Sequence, residues 1–444
     1  TVSLPGGQGT AWHGQALLPA GRDLLVLHAQ VNTGLDHPVS GGGYGGSVSE
    51  PINLVATVLR SGRAPLVPPN AESMLTDRLE VPDVSGVALS GGALFLASRI
   101  KGQVERVPLR AGGRLDTRNR SVVAALETES SPHGKANLFD QPPGTLAAGN
   151  GTTGLALDGD RVITFAAFDR VLVSASSGGG PRVEVSLGAG RLDAQLARGR
   201  RLFFRNDKAI SSAHLACASC HVDGREDGLV WRLQGGRLQT PSLAGRLEDT
   251  APYNWHGTTR TLPDNIAQTI ERLGGGGLDR ADREALARYL TEGLRPVRTA
   301  PTGDRAMVAQ GRTLFHDRTV GCSSCHDSAS GFTDGEAHDV ESLSRAEREE
   351  LTRTAEQARV EPSEEDKVEG LLARTANKAP APTVISSAFD TPALRQLALT
   401  APYFHDGSAK TLEELVDGNR DRMGRTSHLS TDERRALVAY LRTL

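Results

Sequence analysis

Methionine is almost missing from this 444-residue chain, with three copies, and cysteine is hardly commoner, with four. No run of about 20 apolar residues occurs, which excludes a hydrophobic membrane-spanning helix. Lysine is scarce and arginine dominates the basic residues. The formal charge of −3 argues against a nucleic-acid partner held by bulk electrostatics. A hydrophobic fraction of 38% allows real cores. The length suits about two to four domains.

All four cysteines fall in two runs, Cys217-Ala218-Ser219-Cys220-His221 and Cys322-Ser323-Ser324-Cys325-His326, so none is left for a disulfide framework. Two thiols at i and i+3 with an imidazole directly after suit covalent c-type haem. The thiols form thioethers with two vinyl groups, and His221 or His326 becomes the proximal iron ligand. Zinc needs four ligands from closely paired knuckles, whereas these pairs stand 105 residues apart. A thioredoxin-like pair has no use for a histidine after the second cysteine, twice over. Two covalently bound haem c groups, with iron, are therefore expected. Covalent haem implies a periplasmic, extracellular or cell-surface location.

Residues 1–187 read as β structure, with apolar strand-like runs between Gly-rich turns. Ser85 to Ala97 and Thr153 to Phe165 repeat one pattern: strand, tight turn, strand. A looser third copy runs from Gly14 to Val26. The spacing of about 70 residues resembles YVTN-type β-propellers with long loops, here 33–50 and 111–150. A β-sandwich with accidental self-similarity is the alternative. Three blades are too few to close a ring, so further blades are expected from an upstream segment or another chain.

From about 190 the pattern turns helical, and it repeats. Gly-Arg-x-Leu-Phe at 199–203 and 311–315 precedes each cysteine run. Thr-Pro-x-Leu follows at 240–243 and 391–394, then Ala-Pro-Tyr at 251 and 401, then Ala-Leu-x-x-Tyr-Leu at 285–290 and 436–441. Two tandem all-α cytochrome c domains, 190–298 and 301–444, are predicted. The cysteines are 105 residues apart but Thr240 and Thr391 are 151 apart, so the second copy holds an insertion at about 335–385. Its charge-rich run, Ser344 to Lys378, reads as two short solvated helices, with a lid or docking element as the alternative.

The sixth ligand decides what each haem does. Met423, in Asp421-Arg422-Met423-Gly424-Arg425, stands where a small cytochrome c domain presents its distal thioether. A His/Met pair raises the potential and suits electron transfer. Copy one has no methionine between 190 and 296. His214 is too close to Cys217 to cross the ring, which leaves His256 as the metal-ligand candidate. Aligning the copies sets His256 opposite Asp406 and Trp255 opposite His405. His256 is thus a ligand, a propionate partner or a surface residue.

The tandem Cys-x-x-Cys-His domains with Thr-Pro-x-Leu and Ala-Pro-Tyr-Phe-His-Asp-Gly-Ser resemble the bacterial di-haem cytochrome c peroxidase superfamily over residues 190–444. The front repeat makes the chain similar to a propeller–cytochrome branch. The resemblance implies that the first haem binds hydrogen peroxide and the second, His/Met haem feeds it electrons. The family's distal glutamate position holds Pro263 here, its glutamine position holds Tyr253, and its distal histidine is missing. Asp264 is the nearest acid, so Asp264 and His256 are the catalytic candidates. Calcium is a further cofactor expectation.

Three functions compete. The first is an extracytoplasmic di-haem cytochrome passing electrons between donor and acceptor proteins. The second is a peroxide-reducing enzyme with an open haem 1. The third makes the propeller a docking module for a redox domain, and fold alone does not choose among them.

Overall fold

The computed structural model describes residues 10–20, 23–32, 52–59, 78–79, 84–110, 115–125, 151–178, 182–206, 208–211, 215–233, 236–296, 303–357 and 386–444. They gather into two compact units, one ending at Ser219 and the other continuing from Cys220.

The first unit is sheet-rich. β1 (Thr10–Ala20), β2 (Asp23–Asn32), β3 (Ile52–Leu59) and β4 (Arg78–Leu79) form sheet A. β5 (Val84–Ser90), β6 (Ala93–Ser98), β7 (Gln103–Pro108) and β8 (Ser121–Ala125) form sheet B. β9 (Thr152–Asp158), β10 (Arg161–Ala166), β11 (Val171–Ser176) and β12 (Arg182–Ser186) form sheet C. Each is a four-stranded antiparallel meander, and the three sequence copies are the hairpins β1–β2, β5–β6 and β9–β10. The β5–β6 turn places Gly91 and Gly92 at φ +56° and +69°, which glycine adopts without a Cβ penalty.

Sheet B sits between the others. Leu94, Leu96 and Val107 pack with Leu18 of sheet A, while Ala93, Phe95, Ala97 and Val104 pack with Leu155, Leu157, Val162 and Ala175 of sheet C. This is why β6 is buried along its whole length. Burying each large apolar side chain contributes about 1.5–3 kcal/mol. Gly86 permits the approach of β9, because a Cβ there would lie 2.8 Å from the Gly154 carbonyl carbon. The expected loop 111–150 is interrupted: Leu115 bridges to Leu109, and β8 completes sheet B. The arginines of Thr117-Arg118-Asn119-Arg120 masked that short strand. The expected loop 33–50 lies outside the described residues.

α1 (Ala194–Phe203) starts at Asp193, whose side chain accepts from Leu196 N. Phe204 lies 5.1 Å from Phe168, and Arg200 lies over the Phe168 ring at 4.5 Å. The first unit therefore extends past the change of composition at about 187. α2 (Cys217–Cys220) crosses into the second unit.

The second unit contains β13 (Val230–Leu233), β14 (Gly236–Gln239), α3 (Leu262–Arg272), α4 (Arg280–Arg288) and a π turn, Tyr289–Gly293. α5 (Arg305–His316), β15 (Ala337–His338), α6 (Arg345–Gln357), β16 (Phe389–Asp390), α7 (Leu412–Asp417) and α8 (Thr431–Leu441) follow. This half is mainly helical but not all-α, since β13–β14 and β15–β16 are two-stranded ladders. α5 crosses α8 closely at Gly311, where a Cβ would collide with the Ala436 carbonyl. Phe315 meets Tyr440 edge-on at 5.3 Å, in a core with Leu394, Leu397, Tyr403, Val416 and Leu437. Ser430 and Glu433 form the expected capping box on α8.

β15 and β16 pair where the insertion leaves and rejoins the repeat. α6 is the helix its charged run predicted, but it is not wholly solvated. Leu343 and Glu347 are buried, and Leu351 packs on Leu238 and Phe389. Residues 358–385, including the second expected helix, lie outside the described residues.

Candidate haem sites and the seam between the repeats

α2 carries Cys217 and Cys220 on one turn, with His221 next. The second run forms a 3₁₀ turn, Cys322–Ser324, entered through Gly321 at φ +78°. His221 Nδ1 lies 3.0 Å from Pro241 O, and His326 Nδ1 lies 2.9 Å from Phe332 O. A backbone carbonyl at Nδ1 fixes the proton there and leaves Nε2 as a free lone pair. Burial, with Arg272 nearby, holds His221 down at about 4, and burial also lowers His326. Both imidazoles are thus neutral, the form that ligates a metal. Burial pushes the Cys217 and Cys322 thiols up to about 11. A thiol held neutral is a poor redox nucleophile. The donor set fits covalent haem.

Met423 is half-buried on the loop between α7 and α8. That loop is fastened to the second cysteine run. Arg425 N donates to Val320 O at 2.7 Å, and a Cβ at Gly424 would lie 3.3 Å from Cys322 Sγ. The residue after Met423 thus lies against Cys322.

The loops Ala251–Gly257 and Ala401–Gly407 are near copies. Tyr253 N donates to Thr259 O and Tyr403 N to Ala409 O. Their hydroxyls donate to Leu247 O and Leu397 O. Asn254 and Phe404 share φ near +68°. Each loop is gripped by the other repeat: Asp390 N donates to Trp255 O at 2.9 Å, and Gln239 N donates to His405 O at 2.7 Å.

His256 lies in this seam. Its Nδ1 is 3.0 Å from Ala388 O, and Nε2 is buried with no hydrogen-bond partner among the described residues. Phe389 stacks with His256, at 5.0 Å, and with His405, at 4.3 Å. Trp255 meets Phe389 edge-on, and its indole N–H donates to Gln239 O.

Asp264 lies elsewhere. It is exposed at the start of α3, where the Thr261 hydroxyl donates to its carboxylate at 2.7 Å and its amide donates back to Thr261. Glu414 holds the same position in the second repeat, and its amide donates to Thr261's counterpart, Thr411. Both acids serve helix N-termini.

Sequence reasoning missed Phe389, Asn419 and Glu347. Phe389 precedes the recognised Thr-Pro-x-Leu and carries no signal of its own. Glu347 was read as solvent-facing, yet its Oε1 lies 3.3 Å from His405 Nε2. Glu347, His405 and Asp406 offer ligand atoms within 4.8 Å of one another. The capping pattern Ser344-x-x-Glu347 was visible, but not its contact 58 residues away.

Two homologous halves, each with a Cys-x-x-Cys-His segment whose imidazole is held by a backbone carbonyl, define a duplicated c-type cytochrome. The family model for di-haem cytochrome c peroxidase matches residues 305–440. Hydrazine synthase subunit gamma of Kuenenia stuttgartiensis is 30% identical over 278 residues, covering 54% of this chain and 75% of that one. The methylamine utilization protein MauG of Methylorubrum extorquens is 27% identical over 302 residues, covering 56% and 78%. A solved structure of Kuenenia stuttgartiensis hydrazine synthase, pressurized with xenon, aligns with a TM-score of 0.43 at 25% identity, covering 60% of this chain and 100% of that chain. The chain belongs to the di-haem cytochrome c peroxidase family. Its function is di-haem redox chemistry, with covalently bound haem c and iron as the family's cofactors. No helix among the described residues is long and apolar enough to cross a membrane.

Proposed function

We propose that this protein is a periplasmic or cell-surface electron carrier, passing electrons between redox partner proteins through two unlike haems. Bound haem supplies a one-electron couple whose potential follows its axial ligands. Cys217, Cys220 and His221 would hold the first, and Cys322, Cys325, His326 and Met423 the second. The observation that supports this reading is the fastening of the Met423 loop to Val320 beside Cys322, which is where a distal thioether for the second haem would start from. His221 and His326 present neutral Nε2 atoms, and the carbonyls of Pro241 and Phe332 keep them in that tautomer. The ring stack of His256, Phe389 and His405 supports transfer across the seam. Domain limits at 190–298 and 301–444 belong to the same reading.

Peroxide reduction is the second reading, favoured by the unpaired Nε2 of His256, which could ligate the first iron or move a proton. General acid–base help is worth about 10²- to 10⁴-fold, and Pro263 stands at the family's glutamate position while Asp264 is bound to Thr261. Turnover of peroxide is therefore weak or absent. Steady-state peroxide reduction with a reduced small cytochrome as donor tests the ranking. Slow turnover beside fast reduction of both haems is the expected result. Fast turnover that collapses in Asp264→Asn, or in His256→Ala, would reverse it and name the acid–base group.

Sheets A to C are read as propeller blades that dock the redox half on a partner. Leu172, Val183 and Val185 are exposed on sheet C and Leu187 just beyond it, which supports a further blade packing there, from an upstream segment or another chain. Calcium stays within the reading, and metal analysis beside iron tests it.

A further inference from the structure

We propose that Asn419 is the positioning residue for Met423, holding its thioether in place at the second haem; this rests on reading Met423 as the distal ligand. Asn419 is 2% exposed and sits just beyond α7, four residues before the methionine. Its side chain holds the chain on both sides of that residue. Oδ1 accepts from Met423 N at 2.9 Å, while Nδ2 donates to Gly424 O at 2.7 Å and to the buried Thr426 hydroxyl at 3.0 Å. Both donor hydrogens and the acceptor oxygen of the amide are therefore engaged. A carboxylate or an aliphatic group cannot do this.

The loop needs such a brace. Arg420 and Asp421 are successive non-glycine residues at φ +50° and +60°, and Gly424 follows at +87°. Left-handed conformations at residues with a Cβ cost about 1–2 kcal/mol each, so this shape persists only where contacts over-determine it. Gly424 is also where the loop touches the haem-bearing segment: a Cβ there would lie 2.7 Å from Val320 O. Asp421 supplies an outer brace, accepting from Thr426 N, Ser427 N and the Ser427 hydroxyl. Asn419 ties the amide of Met423 to the carbonyl of Gly424 through one side chain. The thioether then reaches the metal from a loop already in its final shape, and less ordering is needed when it ligates.

The test uses the two-haem protein and three variants: Met423→Ala, Asn419→Ala and Asn419→Asp. Imidazole is the probe, because it competes with a thioether for ferric iron. Met423→Ala should abolish the charge-transfer band of methionine-ligated ferric haem. In Asn419→Ala that band should weaken, the second haem's potential should fall, and its imidazole affinity should rise about tenfold, about 1.4 kcal/mol. The first haem's spectrum should not change, which separates loss of positioning from loss of fold. Asn419→Asp keeps the acceptor for Met423 N but turns an oxygen on Gly424 O, and should behave like the alanine variant. Should Asn419→Ala not fold, Asn419→Asp carries the same measurements. An unchanged Met423→Ala spectrum would overturn the ligand reading and this proposal with it. A changed Met423→Ala beside Asn419 variants with native band, potential and imidazole affinity would overturn the role of Asn419 alone.

Discussion

Glu347 Oε1 stands 3.3 Å from His405 Nε2, with both residues buried, while its other oxygen accepts from the Ser344 amide and hydroxyl. Burial alone would raise this carboxyl, but the bonds from His405 and Ser344 outweigh it and bring it to about 2. A carboxyl lowered on folding adds stability above its ordinary value of 4.5, and that stability drains away as pH falls toward 2. Glu347→Gln should flatten the acid limb of a thermal-stability profile. At pH 7 it should cost about 1–3 kcal/mol, the usual penalty for a spoiled buried hydrogen bond. Parallel acid limbs for the two proteins would count against this.

Asp390 shows the opposite sign. Burial, then the charges of Asp334 and Glu336, push its carboxyl up to about 7. An acid raised on folding costs nothing below its ordinary value of 3.8 and destabilises progressively as pH climbs to 7 and beyond. Asp390→Asn should therefore raise the unfolding midpoint at pH 8 and leave it unchanged near pH 4. Equal midpoints at both pH values would show that the carboxyl is not raised.

Acid-denatured protein should retain two haems per chain. Cys217→Ala and Cys322→Ala should each weaken one attachment, read as haem extracted into acidified organic solvent. Zinc in place of iron in the purified protein would end the haem reading.

Replacing Met423 with alanine should remove one low-spin signal and lower one haem potential, because thioether ligation raises it. An unchanged potential would move the ligand to His428 or His405. His405 is the poorer of these, being buried against Glu347 and Phe389.

Duplication made much of the second unit legible. Shared landmarks placed both helix pairs, both seam loops and the insertion, because one core selects the same apolar positions twice. The seam was less legible. Alignment set His256 against Asp406, yet His256 and His405 both stack on one ring, Phe389, since stacking depends on how two loops meet and not on register within either. Asp264 looked like a displaced catalytic acid because spacing from a glycine cannot distinguish a pocket from a helix cap. Its equivalence to Glu414 was the available clue. Strand β8 was hidden by the arginines before it, and Asn419 by the ordinariness of an asparagine after a helix.

The pairing of β15 with β16 sets Ala337 beside Asp390 and His338 beside Phe389. The fifty residues from 339 to 388 thus leave and return through one doorway. The repeat that carries His326 and Met423 is thereby closed by its own chain on either side of the insertion. A substitution that breaks this short ladder should loosen the neck while the core of Phe315, Leu437 and Tyr440 stays in place.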